Sequence, residues 1–178
     1  MRPWLRFSSF WFYPLLAVAL ILTVQRGQPA SRLFELTWLV PSGLFLWTFL
    51  EYILHRVAFH SRSAVLNKYH LSHHVDPRDP NLILVWPEFA LVISALLFAN
   101  LVAGLGFYRA TGIMTGIWMG FIYYESVHYR VHTSLVDSRI LQSQRRAHFH
   151  HHYSKPNRCF GVTTPLWDYV FGTLKSEQ

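Results

Sequence analysis

Apolar residues run in four long blocks along the chain, at about 7–24, 33–54, 82–104 and 112–130, with polar residues between them. A helix needs roughly 20 apolar residues to cross a ~30 Å hydrocarbon core. The second and third blocks meet that length. The first is short unless it extends back toward Trp4, and the fourth merges into a polar, histidine-bearing end. Pro14, Pro41 and Pro87 lie in or near these blocks; membrane helices tolerate proline where neighbouring helices satisfy the freed carbonyl. The first block has the character of a signal peptide, but Pro29-Ala30-Ser31 is a weak cleavage site, so it is taken as an anchor. The last polar stretch, Ser134 to Gln178, contains one expected helix from Asp137 to Arg146. The pattern predicts an all-α membrane protein, one domain over 1–178, with four transmembrane helices and polar parts at 55–81 and 131–178.

Composition sharpens this picture. The chain is 52% hydrophobic and 17% aromatic with 14% charged residues, on the apolar side of a soluble average. Its single cysteine, Cys159, excludes an intrachain disulfide and a cysteine-based metal site. The net charge of +7 first suggests nucleic acid, but its distribution points elsewhere. Arg2, Arg6, Arg56, Arg62, Lys68, Arg78, Arg130, Arg139, Arg145, Arg146, Lys155, Arg158 and Lys175 fall on one side of a four-span topology. Only Arg26, Arg32 and Arg109 fall on the other. That bias makes the first side cytoplasmic, accounts for the basic charge and leaves no call for nucleic acid. The aromatic start (Trp4, Phe7, Phe10, Trp11, Phe12, Tyr13) fits an interfacial belt.

All eleven histidines fall on the same cytoplasmic side, although the topology was drawn without them. They form four groups: His55 and His60; His70, His73 and His74; His128 and His132; and His148, His150, His151 and His152. Residues four apart share a helix face, which aligns His128 with His132. The two His-x-x-His-His runs each place three rings on about one turn. His55 and His60, five apart, converge only if the backbone loosens there. His150 belongs to no pattern and is expected to be peripheral. Imidazole suits zinc, iron, copper or nickel, and ten such ligands suit two ions. Carboxylates commonly orient ligating imidazoles through the second ring nitrogen. Glu51, Asp76, Asp79, Glu125 and Asp168 are the candidates, led by Glu125, three residues before His128; the alternative for Glu125 is an interfacial glutamate paired with Arg130 or Arg56. Trp167 and Phe171 are expected to pack the polar cap onto the helices.

The order of these boxes resembles the fatty acid hydroxylase / sterol desaturase superfamily, and within it the fatty acid 2-hydroxylase branch. The resemblance rests on Glu51-Tyr52, Leu54-His55-Arg56 and Phe59-His60; on Tyr69 through His74 with Pro77, Asp79 and Pro87; on Tyr124-Glu125 before His128-Tyr129 and His132; and on Arg145 to Tyr153 with Phe160 through Asp168 and Phe171-Gly172-Thr173. It covers roughly Leu46 to Thr173. It implies metal ligation by His55, His60, His70, His73, His74, His128, His132, His148, His151 and His152 around two iron ions, with zinc able to replace iron in isolated protein. It further implies O2-dependent hydroxylation of a fatty-acyl chain, at carbon 2, at the membrane surface. The third box ends His132-Thr133 instead of His-His. Nothing resembles the fused cytochrome-b5-like domain of eukaryotic members, so electrons are expected from a separate cytochrome b5-like or ferredoxin-type donor. The expected setting is a multi-pass protein of the inner or plasma membrane in a bacterium, or of the endoplasmic reticulum in a eukaryote. Alternatives are a sterol or carotenoid hydroxylase or desaturase, and a non-redox metal-binding or transport protein. Transport is disfavoured because the first three spans hold no midmembrane histidine or charge; Glu88 is interfacial and Asn100 uncharged.

Overall fold

The computed structural model describes residues 7–26, 28–60, 64–134 and 138–174; Arg2, Trp4, Arg6, Arg62, Asp137 and Lys175, invoked above, lie outside them. The described residues are helical, with no strand among them. In chain order they form α1 (Ser9–Gln25), α2 (Ala30–Ile53), a π-helical turn (Leu54–Phe59), α3 (Ala64–Val75), α4 (Pro80–Ile83), α5 (Pro87–Leu105), α6 (Phe107–Thr133), α7 (Arg139–Tyr153) and α8 (Leu166–Val170). Among the described residues two helical stretches are long and apolar enough to cross a membrane, Ala30–Phe59 and Pro80–Leu105; α1 is apolar but shorter.

The boundaries follow local chemistry. The third apolar block does not start a helix at 82. Asp79 caps α4 by accepting from the Asn81 N–H at 2.8 Å, the chain then extends through Leu84 and Trp86, and Pro87 opens α5. Proline suits that first position because its missing N–H would have no helical partner there. Gly106, at φ 78°, ends α5 in a conformation that side chains resist. The helix expected from Asp137 to Arg146 begins at Arg139, capped by the Ser138 hydroxyl accepting from Leu141 N–H at 3.2 Å, and runs to Tyr153.

The described chain divides into two compact units. The first comprises the chain to Trp47 and Val85 to Ile122. Here α2 and α6 meet on glycine: a Cβ on Gly116 would stand 2.0 Å from Val40 O, and one on Gly43 2.0 Å from Ile113 O. Such stripes let membrane helices approach backbone to backbone. Tyr13 packs against Trp118 and Phe121 at ring distances of 5.5 and 5.6 Å. Leu15, Phe34, Trp38 and Leu96 all face outward, as a hydrocarbon solvent would favour. The second unit comprises Thr48 to Leu84 and residues from Tyr123 onward. All ten boxed histidines belong to it.

Candidate metal centre

Helical geometry sorts the histidines. Positions four apart on an α-helix differ by ~40° in direction, and adjacent positions by ~100°. In α3, His70 and His74 therefore aim together while His73 aims elsewhere. In α7, His148 and His152 aim together while His151 diverges. The result is two groups, one of His55, His60, His70, His74 and His151, the other of His73, His128, His132, His148 and His152. Within each, the ligand atoms all lie within 4.8 Å of one another. Each His-x-x-His-His run thus serves both groups, which holds them side by side: the His74 and His152 rings stack at 4.1 Å across the divide.

His55 and His60 require a special device. Five residues apart on an α-helix they would diverge, but the chain from Leu54 to Phe59 forms a π turn, whose wider i→i+5 winding brings such positions onto one face. π turns cluster at functional sites for this kind of reason. His150 joins neither group, as expected from its place outside the pattern; its carbonyl accepts from the N–H groups of Ser154 and Lys155.

The converging atoms are Nε2 nitrogens. In the first group His70 Nε2 lies 3.1 Å from that of His55 and 3.0 Å from those of His60 and His74, and His60 lies 3.0 Å from His151. In the second, His73–His128, His132–His148 and His148–His152 are separated by 3.0, 2.8 and 3.0 Å. Pairwise hydrogen bonding does not explain this crowding. His55 Nδ1 is 2.6 Å from the Phe160 carbonyl and His151 Nδ1 is 2.8 Å from that of Arg158. A carbonyl only accepts, so those Nδ1 atoms carry the rings' protons and their Nε2 atoms present bare lone pairs. Lone pairs gathered this closely suit a cation at their centre. Two nitrogens ~2.1 Å from an ion and at right angles stand ~3.0 Å apart, whereas a tetrahedral pair stands ~3.4 Å apart. The short separations within each group are those of nitrogens able to share one ion, and five imidazoles per group offer enough donors to hold it.

Burial and neighbouring imidazoles keep the rings neutral, the form that binds metal. Burial, with repulsion from neighbouring rings, depresses His74 to about 4, His151 to about 3 and His73 to about 2.

The carboxylates act one step further out than the spacing suggested. Asp168 accepts from the N–H groups of Phe160 and Gly161 at 2.9 and 2.8 Å, and from the Thr173 hydroxyl at 2.7 Å. Glu51 accepts from the N–H groups of Val162 and Thr163 at 2.6 and 2.9 Å and from the Thr163 hydroxyl. Together they pin the loop whose Phe160 carbonyl holds His55. Those carbonyl supports at Arg158 and Phe160 are the functional groups missed from sequence, because a main-chain oxygen has no residue identity; only the neighbouring Phe160-Gly161 motif hinted at them. Glu125 is completely buried, one turn before His128. Nδ1 of His128 makes no hydrogen bond among the described residues, so any influence of Glu125 on that ring does not pass through one. Asp79 is taken up by its helix cap. Trp167 and Phe171 pack as expected, at ring distances of 4.9 and 6.5 Å from Phe49, with Phe171 stacked 5.3 Å from Tyr52.

Comparison with known proteins follows the same residues. A family model described as fatty acid hydroxylase matches residues 40–173. The chain is 31% identical to a dihydroceramide fatty acyl 2-hydroxylase of Arabidopsis thaliana, over 96% of its own length and 75% of the plant protein. It is 31% identical to the human fatty acid 2-hydroxylase over 76% of its length and 39% of that protein. Among solved structures it matches full-length scs7p, of which only the hydroxylase domain is visible, with a TM-score of 0.84 and 26% identity, covering 96% of this chain and 67% of the other.

Proposed function

Because this chain belongs to the fatty acid hydroxylase family, a family of hydroxylating enzymes, we propose that it hydroxylates the acyl chain of a membrane lipid at carbon 2, using O2 and two iron ions. The observation that carries this reading is the pair of adjacent five-imidazole groups. The chain's relatives among fatty acyl and fatty acid 2-hydroxylases favour an acyl chain over a sterol or carotenoid.

In this reading His55, His60, His70, His74 and His151 hold one ion and His73, His128, His132, His148 and His152 the other. An unactivated C–H bond resists acid, base and nucleophile, and a bound redox metal pair supplies the oxidising power, derived from O2, that such a bond requires. The net change inserts one oxygen atom into the C–H bond and reduces the other to water, consuming two electrons and two protons. The electrons come from a cytochrome b5-like or ferredoxin-type carrier. The protein's part is to hold ten neutral imidazoles in fixed directions, through helix register, the π turn and the carbonyls of Arg158 and Phe160. Glu125, in register with His128, is assigned a positioning role toward it. The same reading takes α1, α2, α5 and α6 as four spans of a bacterial inner or plasma membrane or of the endoplasmic reticulum, and takes the metal centre to face the cytoplasm in a single catalytic domain; the positive-inside bias of the charges supports it.

The test is product analysis. Membranes containing the protein, supplied with reductant and O2, are expected to yield acyl lipids heavier by one oxygen atom, with the label taken from isotopic O2. Metal-loaded protein that yields no such product from acyl lipids, while oxidising a sterol or carotenoid, would overturn the substrate assignment.

A further inference from the structure

The segment from Pro165 to Leu174 is built inside out. Its two polar, interaction-capable side chains after Thr164 are the buried ones: Asp168 is 1% and Thr173 9% exposed. Its apolar side chains face outward, with Tyr169 at 77%, Val170 at 55%, Phe171 at 45%, Leu166 at 39% and Leu174 at 38% exposed. In water that arrangement is unfavourable, since contiguous exposed apolar surface marks an interaction site. In hydrocarbon it is the expected one.

The location of the segment identifies the solvent. Trp167 donates from Nε1 to the Thr48 hydroxyl at 2.9 Å, and its ring meets Phe49. Thr48 and Phe49 belong to the helix Ala30–Phe59, which holds an apolar window long enough to cross a membrane. Under the membrane reading of that helix, α8 shares the surroundings of its polar end. The segment keeps its buried polar groups satisfied internally, as lipid demands: Asp168 is engaged by Phe160, Gly161 and Thr173, and the Asp168 carbonyl accepts from the Thr173 and Leu174 N–H groups; the exposed Tyr169 is of the type that sits at a membrane–water interface. No exposed charge lies between Cys159 and Leu174; the neighbouring Arg158 is engaged with the Leu174 carbonyl at 2.7 Å, at the end of the segment where polar headgroups would lie.

We infer that α8 and the turn after it, Leu166 to Leu174, dip into the lipid leaflet beside α2, so that the loop supporting His55 is held from one side by the bilayer itself. This rests on the membrane reading of α2 and α5 given above. An acyl chain lying in that leaflet then reaches the protein next to the loop that carries the Phe160 carbonyl.

Site-directed labelling in lipid vesicles tests this. Cysteines are introduced singly as Tyr169→Cys and Val170→Cys and labelled with an environment-sensitive fluorophore. The native Cys159 is buried, and the unsubstituted protein measures any labelling there. Leu96→Cys, exposed on α5, and Arg146→Cys, exposed on α7, serve as lipid and water references. Each variant is first shown to carry the metal content of the unsubstituted protein, so that misfolded chains are discarded. Labels at 169 and 170 are expected to emit to the blue of that at 146, to be quenched by brominated phosphatidylcholine as at 96, and to resist aqueous iodide. Iodide quenching equal to that at 146 would overturn the proposal, and so would shielding from both quenchers, which would indicate contact with another protein or a second copy. If the label at 96 also escapes the brominated lipid, the membrane reading itself falls and the proposal with it.

Discussion

The two imidazole groups match in number and in spacing, yet the far sides of their rings are held differently. In the first group, His55 and His151 are tethered through Nδ1 to main-chain carbonyls on the loop at 158–160. In the second, Nδ1 of His73, His128, His148 and His152 is buried and makes no hydrogen bond among the described residues. Two rings of the first group, His55 and His151, are therefore oriented by hydrogen bonds, whereas four of the second are held by the packing of helices α3, α6 and α7. Tethering fixes tautomer and ring direction before an ion arrives; packing alone fixes direction and leaves the tautomer free. The difference suggests that the first group is preorganised and that the second gains more of its order from the ion.

The largest effect should come from removing ligands. His70→Ala and His128→Ala strike the first and second group respectively, and each is expected to abolish product formation. Metal analysis of the folded variants should show one ion lost in each case. Loss of both ions in both variants would break the distinction between the groups.

Acid should act on both groups alike and almost as strongly. Burial depresses His74 of the first group and His132 of the second to about 4, below the ~6.5 of an unfolded imidazole. In chelator-treated protein the unfolded chain takes up protons first. Stability is thus fully present above about 6.5, is lost as the pH falls through the window down to the folded values, and should appear as a falling Tm between pH 7 and 4. With metal present, release over the same range is expected, since protons compete for the nitrogens.

A smaller and more selective effect is expected from Asp168→Asn. An amide retains one acceptor oxygen where the carboxylate serves two backbone N–H groups and a hydroxyl. Loosening the loop should weaken metal binding in the first group by roughly 10–100-fold, the usual cost of losing outer support, with the second group unchanged in competitive chelator titrations. Equal weakening of both groups would show that the tether at Phe160 is not what distinguishes them. The smallest effect on the metal sites belongs to Thr173→Val, which removes hydrogen bonds to Asp168 and to the buried Tyr52 hydroxyl and should cost about 1–3 kcal/mol in thermal denaturation with little change in metal content.

Much of this was legible in the sequence, for identifiable reasons. Histidine spacing is directional information, so the side-by-side rings of His70 and His74, or of His128 and His132, follow from helix pitch. The five-residue gap between His55 and His60 demanded a loosened backbone, and the π turn from Leu54 to Phe59 is that loosening. The sorting of His73 and His151 into the opposite group from their neighbours is hidden in the spacing, since three rings on one turn look like a single cluster although a ~100° step sends adjacent positions apart. The extended Leu84–Trp86 break between α4 and α5 is not visible in the third apolar block, because hydropathy is blind to backbone conformation. The reversed polarity of Leu166 to Leu174 was hidden as well, since composition shows which residues are apolar and not which way they face.

The most direct test is to count metal ions in purified, folded protein from iron-supplemented cells, alongside His70→Ala and His128→Ala. Two ions per chain, falling to one in each variant, is the result expected of two separate five-imidazole sites. Less than one ion per chain in folded, unsubstituted protein would contradict the assignment of these histidines as metal ligands.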